Sequence, residues 1–110
     1  MADKPKQPMP EDYFPKTPLT GFMMYFENRR PFDMLSGDEV KTLMIRLYDY
    51  AEKYAHSFIP SLRPDTDGLS QFAAYALEVM SEAAKRSIDN ARQTSWNRSG
   101  ANGGGRPKQT

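Results

Sequence analysis

Residues 36–58 read SGDEVKTLMIRLYDYAEKYAHSF, a string that carries a start signal and a repeating apolar face. Ser36-Gly37-Asp38-Glu39 matches a capping box, in which the Ser36 hydroxyl accepts from the Glu39 amide and the Glu39 carboxylate returns the bond; Asp38 and Glu39 also sit at the favourable end of the helix dipole. Val40, Leu43, Met44, Leu47, Ala51, Tyr54, Ala55 and Phe58 recur at helical spacing, while Lys41, Arg46, Asp49, Glu52 and Lys53 take the wetter side. Pro60 ends the run. The pattern predicts an amphipathic helix over 37–57.

Toward the C-terminus, Ser61 to Asp67, with Pro64 and Gly68, reads as a connection. Leu69, Phe72, Ala73, Ala76, Leu77, Met80, Ala84, Ile88 and Ala91 then form another helical stripe, which predicts a long helix near 70–97. At 1.5 Å per residue it approaches about 40 Å, more than a small core spans. The turns from Lys85 onward are therefore expected to project beyond the core or to pack in an oligomer.

Toward the N-terminus, Phe22, Met23, Met24, Tyr25, Phe26, Phe32, Met34 and Leu35 are dense but interrupted by Asn28-Arg29-Arg30-Pro31. Proline fits a first helical turn and kinks an interior, so either a short helix from about Asn28 reaches Leu35 or a longer one bends there. The expected core is Phe22, Phe26, Phe32, Leu35, Leu43, Leu47, Tyr54, Phe72, Leu77 and Met80. Residues 1–18 hold Pro5, Pro8, Pro10, Pro15 and Pro18, which predicts an arm that is extended or disordered when free. Met9, Tyr13, Phe14 and Leu19 are the side chains able to dock it onto the body or a partner, and Tyr13 and Phe14 are the candidate protein-contact residues.

The chain thus divides into a Pro-rich arm (1–18), a helical domain (19–98) and a flexible Gly-rich basic tail (99–110). The expected fold is all-α: a small three-helix domain with a long C-terminal helix and a disordered basic tail. One core of this size is near the limit for a stable monomer, and the apolar content exceeds what it readily covers, so a homo-oligomer, most simply a dimer, is expected. The chain has no cysteine, which excludes disulfides, Cys-ligated zinc and thiol nucleophiles. No apolar leader opens it and no window approaches the roughly 20 apolar residues of a membrane span. A soluble protein of a reducing compartment, with no membrane partner, is the expectation.

Charge is unevenly spread. Lys plus Arg against Asp plus Glu stands at 3 to 3 in residues 1–18, 5 to 6 in 19–60, 1 to 4 in 61–84 and 6 to 1 in 85–110. The net charge of +1 hides a basic end on a mildly acidic body. Lys85, Arg86, Arg92, Arg98, Arg106 and Lys108 are the candidate phosphate contacts, and DNA is the first candidate partner.

No constellation demands catalysis. His56 stands alone at a helix end, Asp38 and Glu39 are a capping pair, Asp65 and Asp67 fix neither ligand number nor geometry, and Ser57, Ser61 and Ser70 lack an identifiable base. The expectation is a non-enzyme with no metal and no cofactor. Gly103-Gly104-Gly105 lacks the Gly-Lys-Ser/Thr ending and flanking strand and helix of a phosphate-binding loop. It reads instead as a flexible lead to Arg106-Pro107-Lys108.

Gly105-Arg106-Pro107-Lys108 resembles one side of an AT-hook, which implies arginine in a narrow A·T minor groove. Phe22-Met23-Met24-Tyr25, Phe32 to Leu35, the acidic cap Asp38-Glu39, Leu47-Tyr48-Asp49-Tyr50 and the Asn-rich final helix before Gly-Gly-Arg-Pro-Lys resemble a family of small phage and prophage proteins. Members occur near phage replication genes or ahead of replication-protein domains. The resemblance implies an accessory protein in the bacterial cytoplasm that binds DNA or organises a replication or recombination complex. The alternative is a structural or host-directed protein-interaction module without direct DNA binding.

Overall fold

The computed structural model describes residues 8–24 and 26–99. They form a 3₁₀ helix at Phe26–Met34 and two α-helices, α1 at Gly37–Ser57 and α2 at Gln71–Arg98, with no strand among the described residues. The all-α expectation holds; of the tail expected at 99–110 only Ser99 is described, and Tyr25 also lies outside the described residues.

α1 begins as its cap dictates. Ser36 is extended (φ −69°, ψ 161°), its Oγ accepts from the Glu39 amide at 3.2 Å, and its own amide donates to Glu39 Oε1 at 3.4 Å. At the other end Phe58 takes the left-handed conformation (φ 53°, ψ 33°) and its N–H donates to the Tyr54 carbonyl at 2.7 Å. A non-glycine residue there costs about 1–2 kcal/mol. The Phe58 ring offsets that cost by packing against Tyr54 at 5.8 Å and Phe14 at 5.3 Å between centroids.

α2 starts on Ser70, whose Oγ accepts from the Ala73 amide at 3.2 Å. Its 28 residues span about 42 Å. The two helices run parallel, because partners advance together along both: Glu39 meets Ser70, Tyr54 meets Asp89, and Phe58 meets Arg92. Residues 58–70 must therefore travel back the length of α1. Arg46 fixes that returning connection, its Nη1 donating to the Asp65 carbonyl at 3.0 Å and also to the Asp67 carbonyl. Gly68 sits at φ 80°, where a side chain would be strained.

Leu43, Leu47, Leu77, Met80 and Ile88 are fully buried between the helices. Ala73, Ala76 and Ala84 are buried too and let the backbones approach. Phe22, Phe32 and Leu35 pack partly buried against this core. Two expected core residues lie outside: Phe26 is 99 % exposed and Phe72 is 44 % exposed. Pro31 stands inside the 3₁₀ helix, where it cannot complete an α-turn to residue 27. Phe26 therefore falls off the stripe that an α-helix would have shared with Phe22, and Phe72 turns outward in the first turn of α2.

The far turns of α2 do not project into solvent. Residues 8–14 lie over them, burying Arg92 and Trp96, and the chain then passes Phe58 to run back along α1 and α2, where the Met23 amide donates to Ser87 Oγ at 2.7 Å. Residues 8–18 of the arm are part of the fold, and residues 1–7 lie outside the described residues.

Candidate interaction surfaces

The basic set proposed from sequence separates once placed. Arg92 is buried, its Nε donating to the Tyr13 carbonyl at 3.0 Å and its Nη2 to the carbonyls of Glu11 at 2.7 Å and Pro10 at 3.3 Å. Its guanidinium lies 4.3 Å from the Phe58 ring centroid. The Pro10 carbonyl also accepts from the Tyr13 amide at 3.2 Å, and a planar fork of donors can gather several carbonyls at once. Arg92 therefore anchors the arm, which removes it from the phosphate contacts.

Lys85 is half-buried with its Nζ 5.8 Å from the Tyr54 ring centroid, whereas Arg86 and Arg98 are exposed. Viewed down α2, these three cations are separated by roughly 100–140°, and Arg98 lies about 18 Å beyond Arg86. They do not share one face. Arg106 and Lys108 lie outside the described residues.

Tyr13 and Phe14, read as contacts for a partner, meet this chain. The Tyr13 hydroxyl shares a 2.7 Å hydrogen bond with Ser95 Oγ, and its ring stands edge-on to Trp96 at 5.1 Å. Phe14 rests on Phe58 while staying 52 % exposed.

A part-buried polar pair links the helices. The Tyr54 hydroxyl donates to Asp89 Oδ1 at 2.6 Å. Burial first, then that bond and the Asp89 charge, pushes the Tyr54 phenol well above its ordinary range; Tyr50 is raised as well, by burial and then by Glu82 and Asp89. The Tyr54 phenol therefore stays protonated at neutral pH and donates to Asp89. Glu39, tied to Ser70 and Ser36, is held below its ordinary value of 4.5. Among the described residues no group of three or more His, Asp or Glu side chains is placed to hold a metal ion, and no helix is long and apolar enough to cross a membrane.

Large apolar side chains also stand open. Before the 3₁₀ helix Phe22 and Met24 pack half-buried against the core while Met23 is exposed. Phe26 then stands in solvent, with Met23 60 % and Met34 75 % exposed. Between residues 18–24 and α1 lies a cavity of about 720 Å³. Leu19, Phe22, Met24, Ala51, Ala55 and Ile88 form its apolar wall, and Tyr48, Glu52 and His56 also line it. Phe22 and Tyr48 touch ring to ring at 5.5 Å. The density of aromatic and Met residues at 22–26 read as core in the sequence; the signal against that reading was Pro31.

Comparison with protein-family models, with curated proteins and with solved structures finds no match.

Proposed function

We propose that this chain is a non-enzymatic assembly module that organises a complex through protein contact at the exposed Phe26. The observation that carries this reading is Phe26. A phenylalanine wholly in solvent contributes nothing to its own fold and offers a partner about 1.5–3 kcal/mol on burial. Exposed aromatic and Met side chains are the groups that protein interfaces recruit as anchors. With the resemblance to small phage and prophage proteins, the complex organised would be one of phage replication or recombination. A photo-crosslinking phenylalanine analogue at position 26, with the same analogue at exposed Lys41 as control, tests it in the cell that makes the chain. Protein adducts confined to position 26 support the reading, and equal yields at both positions overturn it.

DNA binding is the second reading, and the 6-to-1 basic balance of residues 85–110 favours it. With Arg92 spent on the arm, it rests on Arg86, Arg98, Arg106 and Lys108, with Lys85 at the edge. Titration of A·T-rich duplex, G·C-rich duplex and single strand at two salt concentrations separates minor-groove preference from phosphate contact alone.

A further inference from the structure

A second, smaller hollow lies where the returning connection passes α1 and α2. It has a volume of about 190 Å³ and is lined by residues 62–64, by Tyr50 of α1 and by the α2 stripe Tyr75, Glu78, Val79 and Glu82, with Ser81 beside them. Ser81 is 3 % exposed and its Oγ has no hydrogen-bond partner. A buried hydroxyl left unpaired costs stability that alanine would not, so a serine in the lining of a hollow points to a group that enters and meets it. The charges around the hollow are unspent as well. Among the described residues the ion pairs are Arg29–Asp33 and Arg46–Asp65, and neither engages Arg63, Glu78 or Glu82.

We propose that this hollow binds a free α-amino acid with a small aliphatic side chain. The lining selects each part of that ligand. Glu78 and Glu82 stand one turn apart on α2, two like charges whose repulsion an ammonium group between them relieves. Arg63 supplies a planar fork that takes a carboxylate on two parallel hydrogen bonds. Both signs of charge reach one point: after burial, Glu82 and Asp89 push the Tyr50 phenol up while Arg63 pulls it back. A lone cation or a lone anion would meet one of these signs as repulsion, whereas a zwitterion meets both as attraction. Leu62, Tyr75 and Val79 give apolar surface to the ligand's side chain, and the Ser81 hydroxyl can donate or accept. Size agrees, since a cavity of roughly 150 Å³ admits benzene and one of about 190 Å³ admits a molecule little larger, such as valine or leucine.

Titration of the full, isotope-labelled chain with L-valine and L-leucine, followed by amide chemical shifts, tests the proposal. Saturable shifts at residues 62–64 and 78–82 are expected, with a dissociation constant of about 1 mM or tighter. Ser81→Ala, whose circular dichroism should stay helical, should weaken binding by about 10-fold or more, and Arg63→Gln and Glu82→Gln by as much. Glu52→Gln removes a carboxylate outside the hollow and should leave binding unchanged. Isovalerate is valine without its ammonium group and isobutylamine is valine without its carboxylate, so each should bind at least about 10-fold more weakly than L-valine. Shifts that fail to saturate by about 10 mM with either amino acid overturn the inference. So does a Ser81→Ala chain that binds as the wild type does, or equal binding of L-valine and either of its truncated analogues.

Discussion

Arg92 shows how far one residue's meaning depends on what the fold brings to it. In sequence it is one cation among six in a basic segment; in the fold it is buried and grips the carbonyls of Pro10, Glu11 and Tyr13. Those partners are about eighty positions away, so no local pattern could announce them. Arg92→Ala should release the arm, seen as faster tryptic cleavage after Lys16 and a red shift in emission from Trp96, the only tryptophan. Arg92→Lys should recover little, since one ammonium cannot span the three carbonyls. Tyr54→Phe removes the donor to Asp89 and should cost about 1.5–3 kcal/mol. A phenol raised on folding contributes stability that is whole below its unfolded value of about 10 and is lost as pH climbs past it. The melting-temperature gap between wild type and Tyr54→Phe should therefore shrink above about pH 10. Ser81 supplies the opposite sign: its Oγ is buried without a hydrogen-bond partner, so Ser81→Ala should stabilise by up to about 1 kcal/mol in a urea melt.

At the scale of the element, legibility followed from how local the signals are. The ends of α1 fall where the Ser36 cap and the approach to Pro60 place them, because capping is settled by residues within one turn. α2 matches to within one residue at each end for the same reason, through Ser70. Residues 26–34 were not readable to that degree: Pro31 rules out a continuous α-helix, and a 3₁₀ helix re-aims Phe26. Ser36→Ala should lower stability by about 1 kcal/mol. Leu47→Ala should cost about 2–5 kcal/mol, since Leu47 is fully buried between α1 and α2. Glu39 adds a pH term of the acid kind: depressed on folding, it contributes above 4.5 and is lost as pH falls through its folded value, so Glu39→Gln should flatten the acid limb of a stability profile.

Across the described residues, the long returning connection and residues 8–24 make two parallel helices into one body. Neither device has a sequence signature, since helix periodicity is indifferent to direction and a proline-rich segment reads the same docked or free. The surplus apolar content was legible; its location was not, because the far end of α2 is covered by residues 8–14 while Met23, Phe26 and Met34 are among the apolar side chains left exposed. The choice between a protein-contact module and a phosphate-binding one therefore turns on whether the folded body itself attracts nucleic acid. Salt-dependent titration of duplex DNA with the chain ending at residue 98 decides this most directly. No binding steeper than that of a single exposed cation is expected, a log-log slope of about −1 or less in magnitude. A slope of about −3 or steeper, unchanged by Phe26→Ala, would contradict it by showing that Lys85, Arg86 and Arg98 act together on one phosphate track.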